Sequence, residues 1–144
     1  MAVELTANAV QAVPAGQNVL FTDTPVQCNR GYGGHRDGAG LGTLRGLCNG
    51  CSILARYRVL FVGNISIPTG GTAGAISVAI ALGGEALPTT TATVTPAAVE
   101  NAFNVATSAF VDVPRGCCVA LSVRNISAQA IDVANANLMI ERVA

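Results

Sequence analysis

From Ile53 to Ile67 the odd positions read Ile53, Ala55, Tyr57, Val59, Phe61, Gly63, Ile65 and Ile67, apolar throughout apart from the Tyr hydroxyl. The even positions read Leu54, Arg56, Arg58, Leu60, Val62, Asn64 and Ser66. A strict period of two over this length requires extended backbone with one face in a core. Pro68 to Thr72, with two glycines between, then ends the strand as a turn. The next run repeats the alternation, with Ile76, Val78, Ile80 and Leu82 on one side and Ala75, Ser77, Ala79 and Ala81 on the other. The first side is a core face; the second is small enough for another sheet or a neighbouring subunit to approach closely.

The same grammar continues to the end. Gly83 and Gly84 form a tight hairpin turn, after which Glu85 to Pro88 and the Thr-rich run Thr89 to Thr95 read as strand, with Pro88 and Pro96 favouring an edge. Val99 to Val113 closes at the turn Pro114 to Gly116. Cys118 to Ile126 and Ile131 to Val143 follow, and Val10 to Phe21, broken at Pro14 to Gly16, supplies two more candidates. No stretch sustains a period of 3.6. The expected architecture is an all-β sandwich or jelly roll of about eight antiparallel strands with regularly spaced turns.

A chain of 144 residues fits one domain. Its composition then bears on the surface of that domain. Hydrophobic residues make up 51 % and charged residues only 11 %, against roughly 25 % charged in an ordinary soluble domain. Such a surface is poorly defended against association, so copies of the chain or another protein are expected to cover much of it. The net charge is zero, and all eight basic residues are Arg, with no Lys. Arg suits contacts that end inside interfaces, whereas Lys decorates free surfaces; genomic composition bias is the alternative reading. Nucleic-acid binding would need a basic stripe with stacking aromatics, and neither is present. The apolar runs are interrupted by Arg, Asn, Gly or Pro well short of the roughly 20 residues that a spanning helix needs. The start has no charged head, apolar run and cleavage site, so a cytoplasmic origin is expected.

Candidate chemistry is sparse. Cys48 and Cys51 form a C-x-x-C pair, half of a zinc site or a redox pair, but no second C-x-x-C accompanies it. Packed reduced thiols flanking a turn are the simpler reading, and no metal or cofactor is expected. Arg30 to Gly42 is Gly-rich and lacks the Gly-Lys-Ser/Thr ending of a phosphate loop. Within it His35, Arg36 and Asp37 form the densest polar cluster, read as an ion-paired anchor that, with Tyr32, contacts a partner. Arg56 and Arg58 either pair with Glu100 or Asp112 or face water. No enzyme signal stands out.

Over residues 50–144 the sequence resembles the trimeric jelly roll of the C1q and tumour-necrosis-factor families, in the bacterial and phage form found at the tips of collagen-like spore-surface proteins. The resemblance rests on the long strand Ile53 to Ile67, the run Ala75 to Leu82, and the unit Leu82 to Pro88 before a Thr-rich strand. It continues with Phe110 to Gly116, the stretch Leu121 to Asn125, and the closing strand Ala136 to Arg142. No collagen-like stalk is present, and residues 1–45 have no counterpart in the spore proteins. This implies a C1q/TNF-like jelly roll at 46–144, preceded by an N-terminal arm and Gly-rich loop at 1–45. It also implies a homotrimer located in a phage virion, decorating or cementing the head by contact with the major capsid protein or another virion protein. A receptor- or glycan-binding knob of a tail or fibre, or a spore-surface structural protein, is the alternative. Subunit packing is expected at Tyr57 and Phe61 or at Ala75, Ser77, Ala79 and Ala81, and partner contact at Tyr32, His35, Arg36 and Asp37.

Overall fold

The computed structural model describes residues 2–26, 33–35, 38–46 and 53–143. The strands are β1 (Ala2–Ala7), β2 (Gln11–Val13), β3 (Asp23–Val26), β4 (Gly33–His35), β5 (Gly42–Arg45) and β6 (Leu54–Ser66). They continue with β7 (Ile76–Leu82), β8 (Glu85–Ala86), β9 (Ala92–Val94), β10 (Phe103–Pro114), β11 (Cys118–Asn125) and β12 (Ile131–Arg142). One sheet has the order β10-β6-β12-β1-β3 with β2 also on β12; the other has β4-β5-β11-β7-β8 with β9 also on β7. The described strand pairings are antiparallel. The strands not expected from the sequence are β1, β3, β4 and β5, three to six residues long and all within residues 1–45. The expected edge at Thr89 to Thr95 is a 3-10 turn (Pro88–Thr90) followed by β9.

Alternation decides what faces inward. Ala55, Tyr57, Val59, Phe61 and Ile65 of β6 meet Ile76, Val78 and Ile80 of β7 and Leu121 and Val123 of β11 in one apolar core. The Gly83-Gly84 turn has φ values of 61° and 84°, a left-handed pair that glycine adopts without steric cost and that suits a two-residue hairpin. Gly46 answers a different need. A Cβ there would lie 1.9 Å from the Pro114 carbonyl oxygen, so the chain leaving β5 can press against the β10–β11 turn only without a side chain.

Of residues 1–45, expected as an arm and Gly-rich loop, the described strands β1, β2 and β5 are paired into the sandwich. β1 pairs with β12 along its whole length, and Val3, Leu5, Ala7, Val13, Val19, Phe21 and Leu44 belong to the core. Burying seven apolar side chains against the other strands stabilises the segment in place, at roughly 25 cal/mol per Å² of apolar area.

One buried side chain bonds across three segments of the chain. Asn125 is fully buried at the end of β11. Its Nδ2 donates to the Val13 and Gln129 carbonyls, both at 3.0 Å, and its Oδ1 accepts from the Ser127 N–H at 2.9 Å. This one side chain ties β11 to β2 and to the connection into β12. Each buried group left unsatisfied costs about 1–3 kcal/mol, so Asn125→Ala is expected to lose on the order of 3 kcal/mol. The urea midpoint measures this, and an unchanged midpoint would show that water replaces the amide.

Candidate interaction face

The β10-β6-β12-β1 sheet has an outer face assembled in rows by strand register. Leu60 of β6 stands between Ser108 of β10 and Met139 of β12, and Val62 between Ala106 and Asn137. Arg58 lies between Phe110 and Glu141, and Asp112 is opposite Arg56. The middle of the face is therefore Leu60, Val62, Met139, Ala106 and Phe110. Phe110 is 66 % exposed and Met139 41 %, whereas Phe21, Tyr57 and Phe61 are enclosed.

Charge and amides border this apolar middle. On one side Arg56 Nε donates to Asp112 Oδ1 at 2.7 Å and Nη2 to Oδ2 at 3.0 Å, a bidentate fork. Arg58 Nη2 donates to Glu141 Oε2 at 2.7 Å. On the other side Asn104 Nδ2 donates to Asn64 Oδ1 at 3.2 Å, and Asn137 Nδ2 to Glu4 Oε1 at 2.7 Å. Asn137 Oδ1 is buried and has no hydrogen-bond partner. An apolar centre inside a polar rim is the anatomy of a protein interface. The ion pairs are about half exposed, so they contribute little to monomer stability.

Of the partners left open for the two arginines, Arg56 takes Asp112, Arg58 takes Glu141, and Glu100 instead accepts a hydrogen bond from the Thr69 hydroxyl. The fork from Arg56 holds the Asp112 carboxyl below the usual carboxylate range, chiefly by the hydrogen bond and further by charge. Because the folded pKa is depressed, this small stabilisation is present above the unfolded pKa and fades as pH falls through the folded one. Arg56→Gln is expected to bring the Asp112 titration, followed by carboxyl carbon NMR, up to the ordinary range. A titration unmoved by the substitution would dissociate the shift from the fork.

The residues expected to pack between subunits lie elsewhere. Tyr57 and Phe61 are fully buried in the core of the single chain, so they have no surface to offer a neighbour. Ala79 and Ala81 are likewise fully buried, although on the opposite side of β7 from the core residues Val78 and Ile80. Arg124, opposite Ala79 in register, sends its guanidinium to the Gly84 carbonyl at 2.6 Å, laying a long side chain along that side. Ser77 is partly buried and bonded to Thr93; Ala75 is exposed just before β7. Of the expected partner contacts, His35 is in β4 opposite Gly42, while Tyr32, Arg36 and Asp37 lie outside the described residues. So do Cys48 and Cys51. The residues that periodicity missed are Leu60, Val62, Phe110 and Met139, whose proximity depends on pairing between strands far apart in sequence.

The sheet orders and the enclosed core define the fold class: a C1q-like jelly-roll sandwich. Among solved structures the chain is similar to the globular domain of zebrafish complement 1qA protein, with a TM-score of 0.65 and 12 % identity over 99 % of this chain and 97 % of that one. No family model matches the sequence, and no curated protein does.

Proposed function

We propose that this chain is a non-enzymatic structural protein, a homotrimeric jelly roll that coats a phage head as a decoration or cementing protein. Its partners are its own copies and the major capsid protein or another virion protein, and its location is the virion. The observation that carries the reading is the outer face of the β10-β6-β12-β1 sheet, where Leu60, Val62, Phe110 and Met139 form an apolar centre bordered by ion pairs and amides. A neighbouring copy covers that centre. The fold likeness supports a trimer because C1q-like domains are generally trimeric; the sparse charge and absent Lys support a surface that is mostly covered.

The mechanism is area and number. Apolar burial stabilises each contact at roughly 25 cal/mol per Å², and three linked copies gain avidity for a repeating lattice. Sedimentation of the purified chain gives its mass, and mass spectrometry of virions purified from cells carrying the gene gives its location. A trimer present in virions is expected. A stable monomer at micromolar concentration overturns the assembly, and absence from virions overturns the setting.

A further inference from the structure

We infer that the free edge of β10 pairs, antiparallel and in one register, with the same edge of a second copy, joining two sandwiches through their backbones. β10 is the terminal strand of its sheet. The Arg115 N–H donates to the Ile53 carbonyl at 2.9 Å, and these two residues continue the β10–β6 register. They are therefore a hydrogen-bonded pair, and in an antiparallel ladder such pairs recur every second residue. Odd residues of β10 bond to β6. Even residues Asn104, Ala106, Ser108, Phe110 and Asp112 point their N–H and C=O groups away from it, and among the described residues no strand pairs there. On the β12 side the Val143 N–H donates to the Arg56 carbonyl, so even residues of β6 bond that way, as the same alternation requires.

Natural edges of this length are usually guarded by charge, Pro or a bulge. This one is not. The register with β6 runs unbroken, the stretch Asn104 to Val111 holds no charged residue, and Asp112 is already bonded to Arg56. Pro114 carries its missing N–H on the outward side, so it ends the free ladder just past Asp112 without disturbing β6.

A second copy is the occupant because the edge complements itself. With the two-fold axis at Ser108, Asn104 meets Asp112 of the second copy, Ala106 meets Phe110, and Ser108 meets its own counterpart. A small residue faces a large one, an amide donor faces a carboxylate, and no like charges meet. All five outward residues exchange bonds in this register; shifting it by one pair leaves at least one unpaired. The contact is a two-fold made by the backbone edge of β10, whereas the trimer is assigned to the side-chain face of the same sheet, and the backbone pairing does not depend on that face. A ring closed through the face and joined to one second ring through all three β10 edges is a closed hexamer.

Ser108→Pro removes one outward N–H and leaves the ladder to β6 intact. The wild-type particle is expected to sediment at twice the mass of the Ser108→Pro particle: hexamer against trimer, or dimer against monomer if the face does not close a ring. Equal masses overturn the edge contact while leaving the trimer standing. Should proline unfold the strand, amide hydrogen exchange on the wild type is the second measurement: the outward N–H groups of Ala106, Ser108 and Phe110 are expected to be protected in the assembled protein, and free exchange of all three overturns the proposal.

Discussion

Leu60→Asp is expected to convert the assembled protein to a form without the face contact at micromolar concentration, while its melting temperature at monomer level stays close to wild type. Leu60 is at the middle of the outer face, between Ser108 and Met139, and in the single chain it is only partly buried. A carboxylate there remains solvated in the monomer. In the assembly it is taken out of water beside apolar groups with no cation directly opposite. Burying an unpaired charge in this way costs about 3–5 kcal/mol, a factor of a hundred to several thousand in the dissociation constant. Met139→Asp, one strand over, is expected to act alike. Ala75→Asp is the control, because Ala75 is exposed on the far sheet, away from this face. Sedimentation equilibrium reads all three. Dissociation by Ala75→Asp with Leu60→Asp still assembled would move the interface to the β7 side.

The sequence carried the fold further than the face. Alternation from Ile53 to Ile67 located β6 within a residue at each end, and its odd side is the core side. The turns at Gly83-Gly84 and Pro114 to Gly116 fall where glycine and proline place them. What periodicity cannot provide is a third face. Tyr57 and Phe61 satisfy the alternation because the core needs them, and the same residues cannot also meet a neighbour. The apolar members of the even side, Leu60 and Val62, are diluted along the chain by Arg56, Arg58 and Asn64. Only the β10 and β12 registers gather them with Ala106, Phe110 and Met139. β1 escaped notice for a related reason. Its six residues alternate apolar and polar too briefly to stand out, and its burial comes from β12, at the opposite end of the chain.

The larger loss is expected from Tyr57, where two substitutions separate ring from hydroxyl. Tyr57 is on β6 in one sheet, and its hydroxyl donates to the Arg45 carbonyl of β5 in the other, at 2.5 Å. The ring spans the gap between the sheets, which pack about 10 Å apart. Tyr57→Phe keeps the ring and strands that carbonyl, a net cost of about 1 kcal/mol. Tyr57→Ala removes a wholly enclosed ring as well, and truncating an aromatic in a packed core costs about 3–5 kcal/mol. Against the roughly 5–15 kcal/mol that holds an ordinary domain together, the Ala variant gives up a large share of all stability. The Phe variant gives up little. Neither is expected to change the mass of whatever remains folded, because the ring touches no outer face. Urea unfolding at two protein concentrations distinguishes the origins of the loss. A core defect lowers the midpoint by the same amount at both, whereas an interface defect produces a fall that shrinks as concentration rises. A Tyr57→Ala protein that unfolds like wild type but sediments as a monomer would return this ring to the subunit boundary.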